Sequence, residues 1–155
     1  MNPVEVNVSA LLRRTSEFVK GKASELGVDL VMDIPDDIPA IIGDRDQLEQ
    51  VFLNLAVNGI EAMKGGGRLH VSAVRKTNEV TISFADTGPG IPAQDIPHVF
   101  NPFYTTKPSG TGLGLALSWS IIERHGGVIR VDNVTDGGGA RFEVILPLQW
   151  RFGRE

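Results

Sequence analysis

The run Asn54-Leu-Ala-Val-Asn58-Gly-Ile-Glu61 sets three polar side chains four and three residues apart, a spacing that brings them onto one face of a helix. Asn54 and Asn58 border an apolar stripe, where an unsatisfied amide would cost about 1–3 kcal/mol. An amide oxygen turned into a cleft escapes that cost by binding a hard cation such as Mg²⁺, which takes oxygen ligands and keeps several waters. Helix-surface amides bonded to a neighbouring loop would explain the same pattern.

Three further segments have residue types suited to chemistry. Asp86-Thr-Gly88-Pro-Gly90-Ile91 follows a strand-like run. Glycines let a backbone approach a ligand closely, and a carboxylate at a strand end can accept a bond from an amino group. An ordinary β-turn opening on Asp reads the same way. Phe100-Asn-Pro-Phe103-Tyr104-Thr105-Thr106-Lys107 holds three aromatics in five residues, expected to anchor a loop with Phe100 and Phe103 as a hydrophobic plug. Lys107 is either a solvated charge or a flexible cation able to reach a phosphate. Gly110-Thr111-Gly112-Leu113-Gly114-Leu115 runs into a helix, whose free N–H groups and positive dipole end suit an anion. It is neither a Rossmann nor a Walker pattern, because no strand directly precedes it and no Gly-Lys-Ser/Thr follows.

The elements that must position these segments follow from periodicity. Val4, Val6 and Val8 alternate as a short strand does, and Leu11, Leu12, Phe18, Val19 and Leu26 have helical spacing, with Ser9 as N-cap and Gly27 as stop. Strands are expected at Val28–Ile34 and Ala40–Ile42. Asp44 caps a long helix with the stripe Leu48, Val51, Phe52, Leu55, Ile60 and Met63, ended by Gly65-Gly66-Gly67. A hairpin spans Arg68–Arg75 and Val80–Asp86. Residues 87–112 are rich in Gly, Pro and Thr, and a loop that long is expected to be a functional lid, with one helical turn near Asp95–Val99. A helix over Leu113–His125 and a strand pair at Val128–Val131 and Ala140–Leu146 complete the chain. Hairpins without strict alternation predict an α+β sandwich, with helices on one face of a mixed sheet, rather than a doubly wound fold.

Composition narrows the function classes. At 155 residues the chain is expected to be a single domain, 1–155. Fifteen Lys and Arg against nineteen Asp and Glu give a net charge of −4, so no overall basic field draws it to nucleic acid or an anionic membrane. The absence of cysteine excludes a disulfide framework, a thiolate metal site and a cysteine nucleophile. No apolar run approaches the roughly 18 residues of a membrane span, and no signal-peptide pattern opens the chain.

Taken in order, the four segments resemble the N, G1, F and G2 boxes of the ATP-binding catalytic domain of sensor histidine kinases, within the wider gyrase, chaperone, kinase and mismatch-repair ATPase superfamily. The phrase NPFYTTK…GTGLGL, followed by Ile122-Glu-Arg-His125-Gly-Gly, is most similar to the nitrogen-regulation type. The resemblance runs from about Val4 to Pro147. It implies a Bergerat-type two-layer α/β sandwich: about five strands in a mixed sheet, three helices on one face and a flexible ATP lid. It also implies ATP or ADP with Mg²⁺. Asn58 would chelate the metal with Asn54 assisting, and Asp86 would bind the adenine amino group in a pocket shaped by Gly88, Gly90 and Ile91. Tyr104, Thr105, Thr106 and Lys107 would line the nucleotide, with Lys107 at the γ-phosphate. Gly110, Thr111, Gly112, Leu113, Gly114 and Leu115 would approach the phosphates.

Gyrase-like and mismatch-repair relatives carry a water-activating glutamate four residues before the metal asparagine. Here that residue is Asn54, which cannot act as a general base, so phosphoryl transfer is expected rather than self-contained hydrolysis. None of His70, His98 and His125 lies in an acceptor-like helical context; His125 suits a helix C-terminus. The resemblance therefore implies that the acceptor histidine lies in a dimerisation domain outside this chain, as do the sensor domains, and that the isolated chain does not autophosphorylate. It further implies a response regulator downstream, a monomeric isolated domain and a cytoplasmic location, with the parent kinase membrane-anchored or soluble. The alternatives are a degenerate nucleotide-binding scaffold and an anti-sigma-type serine kinase.

Overall fold

The computed structural model describes residues 1–104, 113–134 and 138–149. In chain order the elements are β1 (Pro3–Val6), α1 (Val8–Glu25), β2 (Val28–Asp33), β3 (Ile41–Asp44), α2 (Arg45–Glu61), β4 (Gly67–Arg75), β5 (Glu79–Asp86), α3 (Gly114–Arg124), β6 (Val128–Asn133) and β7 (Ala140–Pro147), with a single 3-10 turn at Ile96–His98. Five strands form one sheet in the order β2-β4-β5-β7-β6, parallel between β2 and β4 and antiparallel elsewhere. β1 and β3 pair separately as an antiparallel ribbon. This is the expected two-layer sandwich of a mixed five-stranded sheet and three helices.

Alternation along the central strands makes the core. Val80, Ile82 and Phe84 of β5 and Phe142, Val144 and Leu146 of β7 are all buried, as period-2 side chains on the covered face must be. Leu48, Val51, Phe52, Leu55 and Ile60 form the matching stripe of α2, and the Phe52 and Phe84 rings lie 6.2 Å apart. No helix among the described residues is long and apolar enough to cross a membrane.

The first helix begins earlier than expected. Val8 is the first helical residue rather than the last of a strand, and it is fully buried. Asn7, not Ser9, is the N-cap, accepting the Ala10 N–H at 2.9 Å. Both residue types can cap a helix, so the choice follows from the burial of Val8; the Ser9 hydroxyl instead donates to the Pro35 carbonyl.

Asp44 caps α2 as expected, accepting the Gln47 N–H at 3.0 Å. The backbone at Asp44 is also tied to α3. His125, 2% exposed, accepts the Asp44 N–H at Nε2 (2.9 Å) and donates from Nδ1 to the Ile121 carbonyl (2.8 Å). Because an N–H can only donate, Nε2 carries no proton and the imidazole is neutral. Burial lowers the His125 pKa below its ordinary 6.5, opposed by the bond to Ile121.

A lowered folded pKa means that below about pH 6.5 the unfolded chain takes up a proton that the folded chain resists. Stability contributed by His125 is therefore complete above that pH and declines as pH falls through the lowered folded value. The Asn2 and Gln47 N–H groups hold the Asp44 carboxylate below its usual range, so its contribution is lost only in stronger acid. Urea-unfolding midpoints from about pH 8 to about pH 5 should show the His125 loss in the wild type. His125→Gln should be less stable by about 1–3 kcal/mol at the upper end of that range and flatter across it.

Candidate functional site

Helix α2 gathers three of the four segments. Near its middle, Asn54 packs on the first residue of α3, where a Cβ on Gly114 would lie 2.7 Å from Asn54 Oδ1. One turn on, a Cβ on Gly59 would be 3.9 Å from the Asp86 Cβ. At the C-terminal end, a Cβ on Gly88 would come within 3.0 Å of the Ala62 carbonyl. The helix thus runs from the start of α3 to the loop after β5, with Asn58 between them.

Asp86 ends β5 and is 5% exposed. Its Oδ1 accepts two backbone N–H groups, from Gly88 at 2.9 Å and Ala140 at 3.1 Å. Both bonds use the same oxygen, so Oδ2 keeps its acceptor capacity for the amino group of a ligand. Burial raises the Asp86 pKa, and the two N–H groups oppose the rise.

The Asp86 loop is held from below by the β6–β7 connection. Gly139 has φ +90°, and a Cβ there would run into the Asp86 carbonyl oxygen. Gly90, with φ +80°, lies under the Asn133 side chain. From the α2 side, Met63, 2% exposed, accepts at its sulfur the Thr87 N–H (3.3 Å) and the Thr87 hydroxyl (3.4 Å). The Thr87 hydroxyl also accepts the Arg68 N–H at 3.0 Å.

The metal-site expectation can be tested against the available donors. Among the described residues, no group of three or more His, Cys, Asp or Glu could hold a metal ion. Asn58 is half-buried, and its side chain pairs with no other described residue. A lone amide oxygen, completed by waters and a ligand's phosphate oxygens, suits Mg²⁺ rather than a dedicated protein cage. Asn54 has a structural partner: its Nδ2 donates to Ser118 Oγ at 3.1 Å. Glu61 turns toward α1 and pairs with Lys22 at 3.3 Å.

The aromatic segment divides. Phe100 packs edge-on against Phe142 with centroids 6.1 Å apart, as an anchor should. Phe103 does not join the plug; it is 74% exposed and has φ +68°. The turn, in which Tyr104 N–H bonds to the Asn101 carbonyl, carries Phe103 out into solvent. The Tyr104 hydroxyl bonds to Asp95, and its pKa is raised by burial and then by that carboxylate.

Of the remaining expected site residues, Thr105, Thr106, Lys107, Gly110, Thr111 and Gly112 lie outside the described residues. Leu113 precedes α3, Gly114 opens it without a side-chain cap, and Leu115 packs partly against the core. Ile91 also packs partly against the core, beside Asn133. Sequence reasoning missed Met63 as a support for Thr87, and it did not place Asn133, Gly139 or Ala140 at the site. The only available signal was the Gly137-Gly138-Gly139 run after Asn133.

Gly139→Ala should displace Asp86 as well as strain the backbone, at a cost of about 2–3 kcal/mol. A melting temperature lower by about 5–10 °C would report it.

Comparison with known proteins agrees with this fold. The family model described as histidine kinase-, DNA gyrase B-, and HSP90-like ATPase matches residues 43–149. Sporulation kinase E of Bacillus subtilis (strain 168) is 38% identical over 146 residues, covering 94% of this chain and 20% of that protein. Sensor histidine kinase ZraS of Escherichia coli O157:H7 is 39% identical over 143 residues, covering 92% and 31% respectively. The chain thus spans less than a third of the length of either relative. Among solved structures, the nucleotide-free catalytic domain of histidine kinase ThkA superposes with a TM-score of 0.87 at 30% identity, covering 96% of this chain and 99% of that one. ThkA in complex with the response regulator protein TrrA matches with a TM-score of 0.82 at 28% identity, covering 94% of this chain and 42% of that one.

Proposed function

The chain belongs to the histidine kinase-, DNA gyrase B-, and HSP90-like ATPase family, and on that premise we propose that it is the ATP-binding catalytic domain of a sensor histidine kinase, of the nitrogen-regulation type. It binds ATP and passes the γ-phosphoryl group to a histidine on a separate dimerisation domain. A response regulator then receives the group, as the complex of the similar ThkA with TrrA suggests. The isolated domain is a monomer and works in the cytoplasm.

The observation that carries this reading is the buried Asp86 carboxylate, with Oδ1 held by two backbone N–H groups and Oδ2 left for a base amino group. Asn58 holds Mg²⁺, with Asn54 beside it on α2. When bound, the ion neutralises charge on the phosphate oxygens. Backbone N–H groups from Gly110 through Leu115, together with Thr111 and Lys107, cradle the phosphates. Gly88, Gly90 and Ile91 flank the base, and Tyr104, Thr105 and Thr106 line the lid side. Transfer breaks the bond from the γ-phosphorus to its bridging oxygen, whose electrons stay on the ADP leaving group, and forms one to the unprotonated nitrogen of an imidazole, whose other ring nitrogen then gives up its proton to solvent. The domain's task is positioning and electrostatics. Asparagine at position 54 supports transfer over hydrolysis, since this side chain cannot take a proton from water.

Calorimetric titration with ADP and Mg²⁺ should give binding that Asp86→Asn lowers by about 100-fold or more. Asn58→Ala should lower the Mg²⁺-dependent part of the affinity and, with the acceptor domain joined, the transfer rate. The phosphoprotein formed should be acid-labile, as phosphohistidine is; an acid-stable product would point to serine. Binding without transfer to any acceptor would favour a scaffold.

A further inference from the structure

The loop after Asp86 is fastened at its far end by a side chain from a different hairpin. At the end of β6, Asn133 Oδ1 accepts the Ile91 N–H at 2.8 Å, and Asn133 Nδ2 donates to the Ile91 carbonyl at 2.7 Å. A carboxamide offers one acceptor and one donor side by side, so it pairs with a residue's N–H and C=O as a neighbouring strand would. The fit leaves no slack at the preceding residue. A Cβ on Gly90 would lie 2.9 Å from Asn133 Oδ1 and 3.5 Å from the Gly139 carbonyl.

Asn133 itself is exposed and outside the core. The separation of 42 positions between it and Ile91 excludes a local turn motif. Its neighbours on the same connection, Gly139 and Ala140, hold Asp86 at the other end of the loop. The loop is therefore gripped at both ends by one connection, and at the Ile91 end the hydrogen bonds of that grip come from one side chain.

We propose that Asn133 is a positioning residue for nucleotide binding: by clamping Ile91 it keeps Gly88–Ile91 in the shape the base requires, so the ligand need not order the loop. This rests on the nucleotide reading of the same site. The clamp acts at the base end, so its effect is independent of Mg²⁺. Only a carboxamide performs it. Aspartate would lose the donor and set a carboxylate oxygen against the Ile91 carbonyl.

The test compares ADP and adenosine titrations of the wild-type chain, Asn133→Ala and Asn133→Asp with amide hydrogen exchange at Ile91. Asn133→Ala should bind ADP about tenfold more weakly, a loss of about 1.4 kcal/mol, and adenosine by the same factor. Asn133→Asp should lose at least as much. The Ile91 N–H should exchange about tenfold faster, while the melting temperature stays within about 2 °C of wild type. With the acceptor domain joined, KM for ATP should rise and kcat at saturating ATP should hold. Wild type and Asn133→Ala binding within about twofold of each other would overturn this inference and leave the nucleotide reading intact. An affinity loss that came with a general loss of stability would also overturn it, as a merely structural effect. No nucleotide binding by the folded wild type would overturn both.

Discussion

A carboxylate taken out of water has to find hydrogen bonds, and the burial of Asp86 sets the terms for the region around it. Its two backbone donors come from opposite directions, Gly88 two residues ahead and Ala140 on a distant hairpin. Bringing Ala140 close enough forces Gly139 against the Asp86 carbonyl, where only glycine fits. Keeping Gly88 close enough presses the loop onto the end of α2, where Met63 takes the Thr87 N–H. The raised pKa of Asp86 records the net result, with burial outweighing the donors. A group so placed meets a ligand with one oxygen already fixed in direction.

Helix α2 serves as the spine of the site because its two faces have different duties. Leu48, Val51, Phe52, Leu55 and Ile60 lock it to the sheet. Its other face carries Asn54 against Gly114 and Ser118 of α3. The helix is pinned at its start through Asp44, which caps it and also bonds to His125 at the end of α3. The two helices are thus tied at the N-terminus of α2 by a neutral imidazole and at its middle by an amide. The relation between Asn58 and the start of α3 is then a property of the rigid layer rather than of a loop.

Much of this was legible from residue types and spacing. The α2 stripe, its Asp44 cap and the Asn54–Asn58 face repeat at helical intervals, and Asp86 followed by two glycines marks the end of a strand. What escaped notice depends on partners far away in the chain. Asn133 meets Ile91 across 42 residues and Ala140 meets Asp86 across 54, and no local pattern encodes either meeting. Asn7 displaced Ser9 as a cap because Val8 had to be buried, a tertiary demand on a local choice. Phe103 departed from the expected plug for a different reason: its positive-φ turn points it outward, against what its hydrophobicity alone suggests.

The span from Asp86 to Ala140 also has a meaning in time. A ribosome releases Asp86 54 residues before the backbone N–H that completes its coordination, a gap of about 3–11 s at about 5–20 residues per second. During that interval β5 has no β7 beside it. The carboxylate can remain hydrated until the last hairpin arrives. The loop after Asp86 is therefore among the last features to mature as the chain is made, and its shape stays incomplete until nearly all of the sheet is in place.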